Sequence, residues 1–392
     1  MKELRLGVVG ATGSMATTHR GYFEKIEGLR YAAASDKNEE KLAKLAEETG
    51  AEPFADPDAM IASGKIDALL IATPHYQHPE FARKAFAAGV HVLCEKPVAV
   101  TAYEAEKLYE DYAQALKQHP GLIFAGMFNQ RDRQDWKTVK RLCTDRSIGE
   151  ITRASWTITN WFRTQSYYDS GSWRATWKGE GGGVLINQCP HNLDLFQWFV
   201  GMPSRVTANV GIGRHHNIEV EDEVTALLEF PNGATGTFIT STGQSPGVNR
   251  LEIAGTNGTL IAENEEITYY RTHQPVDVWI RESTEGFKDV AADHITIKPG
   301  GDSLQHEAVT RNFVETILSG SGQGNLIAPG TDMIHGLELG NAMLYSGLIK
   351  APVDLPTDRA AYAAKIQELA DNSTFKKPEV TGNKPASLAG TF

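Results

Sequence analysis

Three short stretches carry residue types suited to moving a hydride and a proton. The first is GVVGATGSMA at residues 7–16, where small residues fall at Gly10, Gly13 and Ala16. This G-x-x-G-x-x-A spacing is one residue longer than the G-x-G-x-x-G of a dinucleotide loop. Gly10 would permit a tight turn, and Gly13 would let backbone N–H groups approach a pyrophosphate. Ala16 would keep a helix close to its strand, with the helix N-terminus favouring the anion. The next strand ends at Asp36, a carboxylate placed to accept hydrogen bonds from the 2′- and 3′-hydroxyls of an adenosine ribose. An acid there repels a 2′-phosphate, so NAD is preferred over NADP. The competing reading is a structural turn beside a solvated acid. The strand–turn–helix context and the acid together favour the cofactor.

The second stretch, CEKP at residues 94–97, closes another apolar strand. Glu95, Lys96 and Pro97 then lie at the edge where open α/β sheets bind ligands. Hydride transfer to a nicotinamide at that edge requires a donor C–H beside the ring and, for a hydroxyl substrate, a base at the O–H. A partly buried Lys96 beside a cationic nicotinamide would release its proton more readily, because burial and like charge both disfavour the ammonium.

The third stretch is EGGGVLINQCPHNLD at residues 180–194. His191 lies four residues beyond Asn187, which puts both on one face if the segment is helical. Pro190 intervenes, so a helix either kinks or starts there. A lone histidine is most often a satisfied core or surface residue. Asn187 can orient a hydroxyl by donating and accepting, while Asp194, one turn on, is expected to fix the helix or the imidazole. Just upstream, WFRTQSYYDSGSWRATWKGEGGG is dense in aromatics and arginine. Such rings stack on apolar C–H faces of a ligand, and arginine donates to its hydroxyls or anionic groups. Tyr168, Trp173 and Arg174 are therefore substrate-pocket candidates, with ordinary packing as the alternative for each. His215 and His216 lack partners at metal-ligand spacing, and no metal is expected.

The elements that position these residues fall into two grammars. Over residues 1–126, strands such as LRLGVVG, LRYAAASD, DALLIATP and HVLCEKP alternate with the helical MATTHRGYFEKI, KNEEKLAKLAEETG and HPEFARKAFAAG. That βα period predicts a Rossmann-type parallel sheet. From about Ile151 the strands alternate in polarity (ITRASWTITN, SRVTANVGIG, DEVTALLEF, ATGTFITST), and PNGA reads as a hairpin turn. Residues 127–360 are thus expected to form an α+β domain with a large open, mostly antiparallel sheet. The helical LQHEAVTRNFVETILSG should pack on one of the domains, and residues 361–392 should form a C-terminal helix and extended tail.

The 392 residues exceed one typical core, and 41% hydrophobic with 22% charged residues is a globular composition. A net charge of −11 argues against a nucleic-acid or anionic-membrane surface. No apolar run spans a bilayer, and the N-terminus lacks the pattern of a signal peptide. Three widely spaced cysteines suggest neither disulfides nor zinc, so a reducing cytoplasm is expected.

The glycine loop, ATPHYQHPE after the third strand, CEKP and EGGGVLINQCPHNLDLFQWFVGMP occur in an order and register that resembles the glucose–fructose oxidoreductase / inositol dehydrogenase (Gfo/Idh/MocA) family. VEDEVTALLEFPNGATG and RLEIAGTNGTL extend the likeness over roughly the first 350 residues. The resemblance implies an NAD-dependent oxidoreductase acting on a secondary alcohol of a sugar, glycoside or polyol. It makes Lys96 the catalytic-site lysine, with Glu95 and Pro97 near the nicotinamide ribose. His191 becomes the leading proton acceptor, assisted by Lys96, with Asn187 where the family carries an Asp. Thr12, Ser14 and Met15 join the cofactor loop, and Thr73, Pro74, His75 and His78 match the family's cofactor-contacting turn. Trp161 and Arg163 match positions near the cofactor, while Asn129 and Arg131 match a domain-junction segment that positions cofactor or substrate. Relatives pair through the open sheet face, so a homodimer or homotetramer is expected. A redox-neutral glycoside-cleaving enzyme and a non-catalytic dinucleotide-binding regulator are the alternatives. A neutral imidazole base further predicts activity rising through roughly pH 6–7, where an unperturbed histidine titrates.

Overall fold

The apolar runs of the first third become β1 (Leu4–Val9), β2 (Leu29–Ser35), β3 (Glu52–Phe54), β4 (Ala68–Ile71), β5 (His91–Cys94) and β6 (Phe124–Gly126) in a computed structural model that describes residues 3–377. They form one sheet in the order β3-β2-β1-β4-β5-β6, every neighbouring pair parallel. Parallel strands need crossovers, and these are α1 (Ser14–Arg20), α2 (Glu39–Thr49), α3 (Pro57–Ala62), α4 (His78–Ala87) and α5 (Ala102–Gln118). Strand order reverses between β1 and β4, which opens a crevice at the carboxyl edge of the sheet. Gly10, Asp36, Thr73, Glu95 and Lys96 all follow strands at that edge. The helix expected over MATTHRGYFEKI stops at Arg20, and a separate 3-10 turn covers Phe23–Lys25. Edge strand β3 (EPF) went unrecognised; Pro53 has no N–H for a ladder and is tolerated at an edge.

The second sheet contains β7 (Ile151–Ile158), β8 (Arg205–Ile212), β9 (Glu221–Glu229), β10 (Thr235–Ser241), β11 (Asn249–Gly255), β12 (Gly258–Glu263), β13 (Glu266–Thr272), β14 (Ala292–Ile297) and β15 (Val353–Asp354). Its order is β14-β13-β12-β11-β7-β10-β9-β8-β15. Only the β7–β10 pair is parallel. PNGA closes the β9–β10 hairpin as its sequence predicts, with Phe230 N–H donating to Ala234 O at 2.9 Å. The remaining helices are α6 (Gln134–Thr144), α7 (Gln165–Asp169), α8 (Pro190–Val200), α9 (Val276–Glu282), α10 (His306–Ser319), α11 (Met333–Ile349) and α12 (Arg359–Asp371). Helices α6, α8 and α11 cover one sheet face. The other face stays open, and Leu227, Ile212 and Tyr270 are exposed on its strands.

After the second sheet the chain returns to the first. Val309, Phe313 and Val314 of α10 pack with Leu4, Leu6 and Val8 of β1. The span 127–360 is therefore not one compact unit. Helix α12 begins slightly before the expected boundary at 361. The chain then folds back, Ser373 Oγ donating to Glu219 Oε2 at 2.5 Å and Lys377 Nζ to Tyr168 O and Gly171 O, each at 2.5 Å. The extended tail from residue 378 onward lies outside the described residues. No described helix is long and apolar enough to cross a membrane.

Candidate active site

The glycine turn is built as its spacing predicts. Gly10 has φ +76°, and a Cβ there would lie 2.6 Å from Ala72 O at the end of β4. Gly13 caps α1 with an ordinary φ of −70° and, with Ser14, is exposed. Half-buried Thr12 donates its amide to Asp36 Oδ2 at 2.9 Å, so the acid braces the loop from the end of β2. Half-buried Met15 lies in the first turn of α1.

The neighbouring loops are locked together. Pro74 caps a 3-10 turn that begins at His75. Buried His78 sets Nδ1 2.6 Å from Pro97 O and Nε2 2.7 Å from Thr73 O, tying the loop after β4 to the one after β5. Burial outweighs the pull of those carbonyls and holds the imidazole below its ordinary value. Both nitrogens face protein, so His78 acts as a strut between the two loops. Thr73 Oγ1 and Asn129 Oδ1 are buried on this edge without a hydrogen-bond partner among the described residues. Such orphaned polar atoms, the glycine cradle and Asp36 fit a ligand rich in hydroxyl and amide groups.

Glu95 faces inward to His19, whose Nε2–H donates to Oε1 at 2.7 Å. Burial alone would raise the carboxyl. The hydrogen bond from His19 and the charges of His19, His306 and Lys96 overcome that and hold it at about 2. Glu95 is therefore a fixed anion beside Lys96.

Half-buried Lys96 reaches across to the second domain, where Nζ donates to the main-chain oxygen of Asn187 at 2.8 Å. Burial lowers its pKa; Glu95 and Glu180 raise it, and Arg174 and Arg163 lower it. Pro190 starts α8 rather than kinking it, so Asn187 sits in the preceding turn and does not share a helix face with His191. Gly183 makes that turn possible, since a Cβ there would fall 1.9 Å from Glu221 O. Glu221 Oε1 accepts the amides of Gly183 and Leu185 at 2.9 and 3.1 Å.

His191 is buried with its ring edge-on to Phe128, centroids 6.0 Å apart, and its Nδ1 has no partner among the described residues. Burial, then the charges of Lys96 and His306, push it well below the ordinary histidine value. A histidine held this far down would not produce the expected rise of activity through pH 6–7. A base so reluctant to take a proton is a weak one.

The aromatic stretch needs two corrections. Tyr168 is 1% exposed, its hydroxyl 2.7 Å from Thr242 Oγ1 and its ring 4.7 Å from His216, so it is a core residue. Its neighbour Tyr167 faces the site instead. The Tyr167 hydroxyl accepts Arg174 Nη1 at 2.6 Å and Gln188 Nε2 at 3.2 Å. The Arg174 guanidinium lies 4.4 Å over the Tyr167 ring and 4.7 Å over Trp173, and Trp173 packs edge-on against buried His75. Asp194 does not touch the imidazole. It takes Arg131 in a bidentate pair at 2.6 and 2.8 Å, which makes Arg131 a buried structural cation. His215 and His216 pair with Glu223 and Asp222.

A polar cavity of about 320 Å³ opens alongside, lined in part by Trp161, Arg163, Asn160, Asn192, Arg133 and Glu263. Trp161 Nε1 donates to Asn192 Oδ1 at 3.1 Å, and Arg163 stacks between Trp161 and Tyr167 at 5.6 and 5.0 Å. Lys96 and His191 do not line it. The residues that sequence reading missed are Tyr167, Glu180, His19 and Glu221. Only Glu180, adjoining the glycine run, had a visible cue.

The model of the oxidoreductase family with an NAD-binding Rossmann fold matches residues 4–119, and that of the GFO/IDH/MocA C-terminal domain matches residues 136–261. The chain is 25% identical over 286 residues to the myo-inositol 2-dehydrogenase of Thermotoga maritima, covering 70% of this chain and 80% of that one. It is 27% identical over 308 residues to the levoglucosan dehydrogenase of Pseudarthrobacter phenanthrenivorans, covering 68% and 75%. Among solved structures it resembles the WlbA dehydrogenase from Bordetella pertussis in complex with NADH and UDP-GlcNAcA. That likeness has a TM-score of 0.75 and 25% identity over 91% of this chain and all of the other. The two family matches in register, on a Rossmann sheet followed by an open mixed sheet, make this chain a member of the Gfo/Idh/MocA family of NAD-binding oxidoreductases.

Proposed function

We propose that the protein oxidises a secondary alcohol of a sugar, glycoside or polyol with NAD. The observation that carries this reading is Lys96, held between the carboxyl edge of the first sheet and the Asn187 turn of the second domain, with its pKa lowered by burial. NAD would lie on the Gly10–Met15 loop with its adenosine ribose at Asp36. Thr73, Asn129 and the Glu95–Pro97 loop would flank the nicotinamide half, and Trp161 and Arg163 would close over it. When bound, the nicotinamide supplies the hydride acceptor. Neutral Lys96 takes the hydroxyl proton at Nζ as the C–H hydride leaves. His191, uncharged, and Asn187 orient the same alcohol. Tyr167, Trp173 and Arg174 present ring faces and a cation to the rest of the sugar. The sequence-based order of His191 before Lys96 as proton acceptor is thus reversed, because burial disables the imidazole as a base.

The test is a panel of sugars, glycosides and inositols scored for NADH formation and for released aglycone. NADH formation with at least one member is the expected result. Aglycone release without net NADH would instead identify redox-neutral cleavage, and NAD binding without turnover a regulator. A reducing compartment fits three thiols that are all unpaired.

The alternating exposed positions of β9 and β10 leave a broad open face that suits self-association. A homodimer or homotetramer through this face should be seen by light scattering at micromolar concentration. A monomer mass would defeat it.

A further inference from the structure

Glu180 is a carboxyl that the chemistry above does not use. It is 1% exposed, and its neighbours are cations or donors. Oε2 accepts the Ala175 amide at 2.5 Å, and Oε1 accepts the Asn187 side-chain amide. Burial raises its pKa, while Arg174, the Ala175 and Asn187 amides and Lys377 pull the other way and favour the charged form. Lys96 in turn feels Glu180 as one of its two stabilising anions, the other being Glu95.

An ionised carboxylate only accepts hydrogen bonds. Its contact with Asn187 therefore fixes which way that amide points: Nδ2 goes to Glu180, and Oδ1 must face away from it. The Tyr167 hydroxyl, 3.5 Å from Nδ2, lies on the same side as Glu180. Meanwhile the main-chain oxygen of Asn187 takes Lys96 Nζ at 2.8 Å. Asn187 is neutral, so it can orient the site but cannot balance the ammonium. The charge behind it can.

Resting on the hydride-transfer reading of this site, we infer that Glu180 is a positioning residue that sets the orientation of the Asn187 amide and supplies, one residue removed, the counter-charge for Lys96 on the second-domain side. His75, His78, Cys189, His191 and His306 also feel the Lys96 charge, but the formal charges that act on it most are two of each sign. Glu95 and Glu180 hold the proton on it, and Arg163, Arg174 and burial take it off. Removing Glu180 leaves Glu95 alone against two arginines. Lys96 then titrates at lower pH, and the Asn187 amide is free to flip, because a glutamine in its place both donates and accepts.

The test reads Lys96 directly. Competitive labelling with acetic anhydride across a pH series, resolved by peptide mass spectrometry, gives the pH at which its amine becomes nucleophilic, without any substrate. In Glu180→Gln that curve and the kcat/KM limb should move to lower pH, and kcat/KM on the high-pH plateau, where Lys96 is neutral in both proteins, should fall roughly 10- to 100-fold, mostly through KM. Asn187→Asp alone puts two carboxylates in contact, which repel or share a proton, and should also lose activity at neutral pH. The double variant Glu180→Gln/Asn187→Asp keeps one charge and one amide with their places exchanged. It should regain most of the activity and return the Lys96 curve toward wild type. An unmoved labelling curve in Glu180→Gln, or a double variant no better than the singles, overturns the inference. Should Glu180→Gln fail to fold, the double variant still decides, since a purely structural glutamate would not be rescued by a change at residue 187. A shifted labelling curve in a protein that oxidises no alcohol would sustain Glu180's role and remove only the activity.

Discussion

Lys96 is gripped by the backbone of Asn187, not by its side chain: Nζ meets the main-chain oxygen at 2.8 Å while the amide turns to Glu180. Truncating Asn187 to alanine therefore leaves that grip in place. Asn187→Ala should raise KM more than it lowers kcat, because substrate orientation and the amide that Glu180 accepts are lost while Lys96 keeps its backbone partner. Lys96→Met should lower kcat by ~10²–10⁴-fold, the usual cost of a missing proton acceptor. Steady-state kinetics on the same substrate separates the two, and equal effects on kcat would contradict the assignment.

The pH dependence should follow Lys96. Burial and the charges of Lys96 and His306 keep His191 neutral far below the ordinary histidine range, so it contributes no limb near neutrality. Lys96 is lowered from 10.5, so kcat/KM should rise with pH as its ammonium loses the proton. His191→Ala should cut turnover by up to about 10²-fold through lost positioning while leaving that limb where it is. A limb that vanishes in His191→Ala would restore the imidazole as the base.

The readable parts of this chain were those set by local chemistry. Gly10 demands a left-handed turn, and Asp36 closes a strand. Gly50 ends α2 in a left-handed turn as its residue type suggests. Helix α11 was invisible because its residues are apolar on nearly every side, which leaves no amphipathic period to detect. Tyr167 and Tyr168 are chemically equal neighbours on a five-residue helix, and it is tertiary contact with Thr242 and His216 that sets Tyr168 as the buried one. The low proton affinity of His191 belongs to its burial against Phe128, a tertiary fact. Glu180 meets Asn187 through a turn that no periodicity announces.

Asp36 is the residue expected to decide between the two cofactors. Its Oδ2 accepts Thr12 N at 2.9 Å and its Oδ1 accepts Asn38 N at 3.0 Å, so the carboxylate is held at the ribose end of the loop. Calorimetric titration should show NAD binding more tightly than NADP. Asp36→Ala should weaken NAD and narrow the gap, losing both the ribose acceptor and the repulsion of a 2′-phosphate. Tighter NADP binding by the wild type would refute this.

Arg131 should matter for stability rather than for catalysis. It is 3% exposed, paired with Asp194 and also with Asp332 at 3.1 Å, and its guanidinium lies 5.3 Å over Trp198. Arg131→Met leaves the Asp194 charge buried with little beyond Gln197 at 3.2 Å to satisfy it. Urea denaturation should show a loss of ~3–5 kcal/mol, as is typical when one partner of a buried pair is removed. Adding Asp194→Asn should recover part of that loss. Additive losses in the double variant would mean that the pair is not coupled.

Glu221 gives a stability signature with a definite sign. Burial raises its carboxyl from 4.5 to about 7, against the pull of backbone N–H groups that include Gly183 and Leu185. Between those two values the folded chain holds more proton than the unfolded one. Its contribution to stability is therefore complete below pH 4.5, declines as pH rises, and is lost above about 7. Glu221→Gln keeps an oxygen for both amides but cannot ionise. It leaves Nε2 where Oε2 now lacks a partner among the described residues, a cost that does not vary with pH. The melting temperature of the variant relative to wild type should therefore climb between pH 5 and pH 8. The full change corresponds to roughly 3 kcal/mol at the high-pH end. A difference that stays flat across this range would mean that Glu221 ionises normally and that the turn carrying Asn187 sits in wetter surroundings than its burial implies.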